Sequence, residues 1–172
     1  MDHLIELVVD RGSMFEIQPT FGRSLITCLA RLGGYPVGIV ANNPMVLGGA
    51  VDAFAARKQA HFIELCDCFH IPLVFLVDVP GFMVGTRAEQ AATLREGMRA
   101  LYVGLQASVP MFTVVIRKCY GMAGMATIVG AGGAGRGGAA CAESAAVQVN
   151  SKKMEARIGS EATPERRGRQ TA

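Results

Sequence analysis

Two stretches, VDVPGFMVG (77–85) and IRKCYGMAGMA (116–126), pair an apolar run with an abrupt turn of unusual backbone chemistry. In the first, Asp78 is expected to bond its own turn, Pro80 fixes a dihedral, and Gly81 and Gly85 let the main chain approach a ligand closely. In the second, a strand stops at Gly121 and small residues open a helix. Amides at a helix start point outward in a partly positive field. Those of Met122 and Ala123 can therefore hold an oxyanion such as an enolate, with no catalytic side chain. A plain structural reading stays open at both places: a tight ligand-free loop at the first, and close packing of a helix on a sheet at the second.

Other constellations offer less. Cys66, Cys68 and His70 read C-x-C-x-H at a helix end, which spreads the three groups over different faces with no fourth ligand near, so zinc is not expected. His61 and Glu64 share a helical face as a base and its orienter would, yet a solvated pair is the commoner outcome. VGAGGAG (129–135) matches G-x-G-x-x-G, with Glu155 twenty residues past Gly135. The following RGGAACAESAA lacks the apolar stripe of a dinucleotide-fold helix, so the match is read as chance and a nucleotide-dependent oxidoreductase is not expected.

The elements that must position these groups follow from periodicity. FGRSLITCLARL (21–32) places Phe21, Leu25, Cys28, Leu29 and Leu32 on one stripe and predicts a helix stopped by Gly33-Gly34. YPVGIVA (35–41) predicts a buried strand, 51–69 a helix ended by Pro72, and PLVFLVDV (72–79) a second strand. Residues 88–107 space Ala91, Leu94, Met98, Leu101 and Leu105 as an amphipathic helix, and 111–116 predicts a third strand. Strand, long helix, strand, long helix, strand implies parallel pairing, hence an α/β fold. Past Thr127 the chain loses bulky apolar residues. Residues 128–172 are expected to form a divergent tail, partly helical at best, with the last twenty disordered.

Composition bounds the rest. A chain of 172 residues, 51% hydrophobic with 21 Gly, suits one domain whose strands are buried on both faces. Residues 151–172 hold six Lys/Arg against three Glu, whereas 1–150 hold eleven of each sign, so the body gives no sign of the basic face that nucleic acid requires. No apolar run approaches the roughly 20 residues of a membrane span. The acidic N-terminus lacks the features of a secretory signal, and a cytoplasmic location is expected. Five cysteines at irregular spacing inside apolar segments suit reduced, buried thiols.

Taken in order, VVDRGSMFEIQPTFGRSLITCLARLGGYPVGIVANNP (8–44), Gly48-Gly49-x-x-Asp52, HFIELCDCFHIPLVFLVDVPGFMVGT (61–86) and VPMFTVVIRKCYGMA (109–123) closely resemble biotin-dependent acyl-CoA carboxyltransferases, the β subunits of propionyl-CoA and related carboxylases. The resemblance covers residues 1 to about 127 and implies a crotonase-like fold, represented by part of its C-terminal, biotin-side domain. It further implies that a carboxyl group passes from carboxybiotin, borne on a separate carrier domain, to the α-carbon of an acyl-CoA. Biotin itself would take the α-proton while backbone amides hold the developing oxyanions. The amide pair associated with biotin's carbonyl falls on Met122 and Ala123, where many members have Gly-Ala. Gly81, Phe82 and Gly121 are expected to border the cofactor. Met125 stands where propionyl-type members often have Asp, and Val84 stands where they have Pro, so the acyl chain is left open.

The partners implied are a biotin carboxylase and biotin carrier subunit and other carboxyltransferase subunits, in a homo-oligomer when full length. Because the family's acyl-CoA half precedes this region, the chain is expected to be an inactive fragment with an altered end, such as a shifted reading frame would leave. A decarboxylase subunit running the transfer backwards, and a non-catalytic interaction fragment, are the alternatives.

Overall fold

YPVGIVAN alternates poorly because both of its faces are covered, and it forms the inner strand on which the sheet is built. The computed structural model describes residues 1–127 and the backbone of 137–141. In chain order the elements are α1 (Asp2–Val8), β1 (Phe15–Glu16), β2 (Leu25–Leu32), β3 (Tyr35–Asn42), α2 (Ala53–Cys68), β4 (Leu73–Val79), α3 (Thr86–Gln90), α4 (Thr93–Gln106), β5 (Met111–Cys119), α5 (Gly121–Thr127) and β6 (Gly137–Cys141). The strands form one sheet in the order β1-β2-β3-β4-β5-β6. Pairing is antiparallel from β1 to β3 and parallel from β3 to β6. The parallel β3-α2-β4-α4-β5 series is as expected from the strand and helix order.

Residues 25–32 are a correction: they are strand β2, not a helix. Leu25 pairs with Asn42 and the register runs without a break to Leu32 opposite Tyr35. Gly33 and Gly34, with φ of 60° and 89°, are the two central residues of the hairpin rather than a helix stop. Residues 25–28 are buried in succession, so an apolar run covered on both faces produced a helix-like stripe by coincidence. The strand at 137–141 is a second difference, since that region was expected to be helical at best. The remainder of the expected tail, VGAGGAG and Glu155 lie outside the described residues.

Apolar residues fill both sides of the sheet. On one face Phe62, Ile63 and Cys66 of α2 join Leu25, Val40, Leu73, Phe75, Val77 and Met111, and on the opposite face Ile5 and Val9 meet Ile26, Ile39, Leu76 and Val114. Asp52 starts α2 by accepting from Ala55 N at 2.8 Å. Predicted residues 88–107 are helical but divided, because Ala92 adopts a left-handed conformation (φ 58°) between α3 and α4. The face α4 buries is Thr93, Gly97, Ala100 and Gly104, not the stripe of larger residues. Small side chains let α4 lie close to α2, where Arg57 Nη2 bonds Glu96 Oε1 at 3.1 Å. Leu94, Met98 and Leu105 point outward, 55%, 42% and 61% exposed.

Asp67 near the end of α2 fastens the turn before β5. Its Oδ1 accepts from Ser108 N (2.7 Å), Ser108 Oγ (2.9 Å) and Val109 N (3.2 Å). Burial alone pushes this carboxyl up, but the three hydrogen bonds, aided by His70, outweigh it and hold the group below its ordinary 3.8. Its contribution is therefore present above that value and lost as the pH falls through the folded pKa. Asp67→Ala is expected to cost about 2–3 kcal/mol in urea denaturation at pH 7, and measurably less once the pH is taken below the folded value.

Candidate functional site at the C-terminal strand ends

In parallel α/β sheets, ligands meet the ends of strands where loops lead into helices. Here the two junctions singled out from the sequence leave adjacent strands. Val79 pairs with Cys119, and just beyond, Tyr120 N donates to Val79 O at 3.1 Å. The structure thus brings Gly81 and Phe82 to the strand end that neighbours Gly121, Met122 and Ala123.

The first loop is held on both sides of Phe82. Val51 N donates to Gly81 O (3.1 Å) and Met83 N donates to Val51 O (2.9 Å), a short parallel bridge. The Phe82 ring lies against α4 where Gly97 has no side chain, and a Cβ on Gly97 would fall within the ring. Its side chain is thereby committed to packing, and what it offers a ligand is main chain. Gly81 has φ 144° and nothing within 4 Å of where a Cβ would stand.

In the second junction Gly121 has φ 61°, a left-handed turn that lets β5 enter α5 at once, and it too has open space where a Cβ would stand. Gly124 N donates to Tyr120 O at 3.2 Å, the first bond of the helical ladder. Met122 and Ala123 are the second and third residues of α5. Ala123 turns its side chain into the core, 1% exposed, while Met122 is 44% exposed at the surface. Gln59 on α2 supports the other end of the helix, donating from Nε2 to Ala126 O at 3.2 Å. Gly81 and Gly121, each with open space where a Cβ would stand, thus lie just past the ends of the neighbouring strands β4 and β5, and Gly121 opens α5.

Asp78 does not bond its own turn. Its carboxylate, 3% exposed, accepts from Arg117 Nε (3.3 Å), Arg117 Nη2 (3.0 Å) and Lys118 N (3.3 Å) on β5. The partner lies 39 residues away, beyond any local pattern. Asn42, read from the sequence only as the start of a turn, accepts from Asp78 N through Oδ1 at 3.2 Å. Its Nδ2 is buried without a partner among the described residues. Lys58 on α2 is also unforeseen: its head is buried, Nζ donating to Leu25 O at 2.8 Å. Burial pulls that amine below its ordinary 10.5.

The lesser candidates do not assemble. Cys66 is buried whereas Cys68 and His70 are exposed, and among the described residues no three His, Cys, Asp or Glu converge on a common point. His61 is exposed, and Glu64 faces Arg99 Nη2 at 3.8 Å on a solvated surface. Cys28, Cys66, Cys68 and Cys119 are free thiols. No described helix is long and apolar enough to cross a membrane.

Comparison with known proteins bears on the family and the fold. The family model described as "Carboxyl transferase domain" matches residues 1–149, past Thr127 where the resemblance read from the sequence ended. The uncharacterized carboxylase YngE of Bacillus subtilis (strain 168) is 51% identical over 130 residues, covering 76% of this chain and 25% of its own. The methylmalonyl-CoA decarboxylase subunit alpha of Veillonella parvula is 46% identical over 121 residues, covering 70% and 24%. The structure of transcarboxylase 12S with hydrolyzed methylmalonyl-coenzyme A bound superposes with a TM-score of 0.71 at 44% identity, covering 73% of this chain and 24% of that one. The fold is the crotonase-like carboxyltransferase fold, and the chain spans about a quarter of the length of these relatives. With most of its length matched by that model and its strand-end loops intact, the chain belongs to the carboxyl transferase domain family.

Proposed function

We propose that this chain forms the biotin-facing side of an acyl-CoA carboxyltransferase site. The observation that carries the reading is that the two glycine junctions leave adjacent strand ends, Val79 pairing with Cys119, with open space beside both Gly81 and Gly121. Biotin, on a separate carrier domain, supplies the carboxyl carrier when bound. Of this chain's own groups, the amides of Met122 and Ala123 receive the ring carbonyl and stabilise negative charge on its oxygen. Gly81 and the Phe82 main chain form the facing wall. Gly121 provides the turn that aims the amides.

The acyl-CoA side and its thioester oxyanion donors belong to a second, N-terminal-type half, so the chain is inactive alone and acts with other carboxyltransferase subunits and a biotin carboxylase and carrier subunit. The outward face of α4 is available for such a half. The reading includes a cytoplasmic location. Likeness to a methylmalonyl-CoA decarboxylase subunit keeps the reverse transfer, from a carboxylated thioester onto biotin, as a second reading.

Calorimetric titration with biocytin (biotinyl-lysine) tests the site. Saturable binding is expected, and Met122→Pro should weaken it about tenfold by removing one donor. Melting should barely shift, since proline is tolerated in a helix's first turn. No binding by the unmodified chain overturns the biotin-side reading. Carboxylation of propionyl-CoA from radiolabelled bicarbonate by this chain with only the carboxylase, carrier and ATP overturns the view that it is inactive alone.

A further inference from the structure

The β4–β5 pairing changes register at the strand ends. Val77 stands opposite Val115, but Val79 stands opposite Cys119, so the single residue Asp78 faces three, Ile116, Arg117 and Lys118. Regular pairing would set Val79 against Arg117. The shift therefore carries the start of α5 two residues along β5 relative to β4, roughly 6–7 Å at about 3.3 Å per residue. An insertion of this kind leaves ladder groups without their usual partners, and it persists only if something else takes them up.

Asp78 does so. Its buried carboxylate accepts the amide of Lys118 and the forked guanidinium of Arg117, while its own amide donates to Asn42 Oδ1 on β3. One residue thus ties the ends of β3, β4 and β5. The arrangement has costs in stability: a desolvated carboxylate, and Asn42 Nδ2 buried without a partner among the described residues. Arg117 keeps its place although its side chain is 60% exposed, because the planar fork matches both carboxylate oxygens.

We infer that Asp78, acting through Arg117 and Lys118, is a positioning residue: it holds the bulge in β5 that sets the Met122 and Ala123 amides against the Gly81 loop. This rests on the reading that those amides receive biotin's carbonyl. Asp78 does not itself touch the ligand. Asparagine at 78 keeps the shape and an acceptor for Lys118 N, but it turns an amide donor toward the guanidinium and so breaks the fork.

The test is amide hydrogen exchange of the full chain, read by mass spectrometry on peptides covering 117–124, with biocytin affinity measured in parallel. Asp78→Asn is expected to speed exchange at 120–124 at least tenfold and to weaken biocytin binding about tenfold, with exchange in the α2 and α4 peptides changed far less. Arg117→Lys, which keeps the charge and loses the fork, should move both readouts in the same direction by a smaller factor. It also serves if Asp78→Asn does not fold. Unaltered exchange at 120–124, or faster exchange spread evenly over the chain, overturns the inference. Absence of biocytin binding by the unmodified chain instead counts against the proposed function, and the exchange pattern still judges whether Asp78 sets the loop.

Discussion

Above pH 9 the protein is expected to lose stability as the pH rises toward about 12, because two buried thiols resist the ionisation that unfolded thiols undergo. Burial pushes Cys28 and Cys66 from 9.0 to about 12, and for Cys28 the nearby Glu16 and Asp2 add to that rise while Lys58 opposes it. The folded thiols keep their protons where unfolded thiols have lost them. Stability from these groups is therefore whole below 9.0 and is lost as the pH climbs to about 12. Lys58 acts in the opposite sense, since its lowered folded pKa lets stability rise with pH between that value and 10.5, and it blunts the fall. Urea denaturation at pH 8, 9.5 and 10.5 measures the slope. Cys66→Ala should remove about half of it, and a flat profile in the unmodified protein would show that the thiols are not confined as the packing implies.

Gly97→Val is expected to disrupt both the fold and the candidate site. A Cβ there would occupy the Phe82 ring, and the ring cannot withdraw freely because Val51 holds the main chain on both sides of it. Overpacking of this kind costs about 1–3 kcal/mol and can exceed that range where the backbone cannot shift. Biocytin binding should fall in step, as the Gly81 loop is displaced. Phe82→Ala in the same chain makes room, so the double variant should recover stability relative to Gly97→Val alone. Simple additivity of the two changes in urea denaturation would show that they do not meet.

The contrast between two apolar stripes shows how much of this was legible. From 51 to 69 the helical spacing, ended by Pro72, leads to α2 within two residues of the expected ends. From 21 to 32 an equally good stripe leads to β2, because a strand buried on both faces has no two-residue alternation to betray it. In α4 the helix was legible but its orientation was not. A stripe of Leu94, Met98 and Leu105 reads as a core face, yet close approach to α2 requires Gly97, Ala100 and Gly104 instead. At the site, Gly81, Gly121, Met122 and Ala123 were marked by local backbone chemistry, whereas Asn42 and Arg117 carried no local signal.

By itself the sequence determined the order of parallel strands and helices from 35 to 116 and the two junctions at Pro80-Gly81 and Tyr120-Gly121. These depend on features within a few residues of one another: a missing amide proton, a glycine's freedom, a repeat of apolar side chains. Only the tertiary structure decided that 25–32 is a strand, that Phe82 is spent on packing, and that Asp78 serves β5 instead of its own turn. Each of those outcomes is set by a partner distant in the chain, Asn42 for Leu25, Gly97 for Phe82 and Arg117 for Asp78, and the energy of such a contact exists only once folding has brought the two residues together.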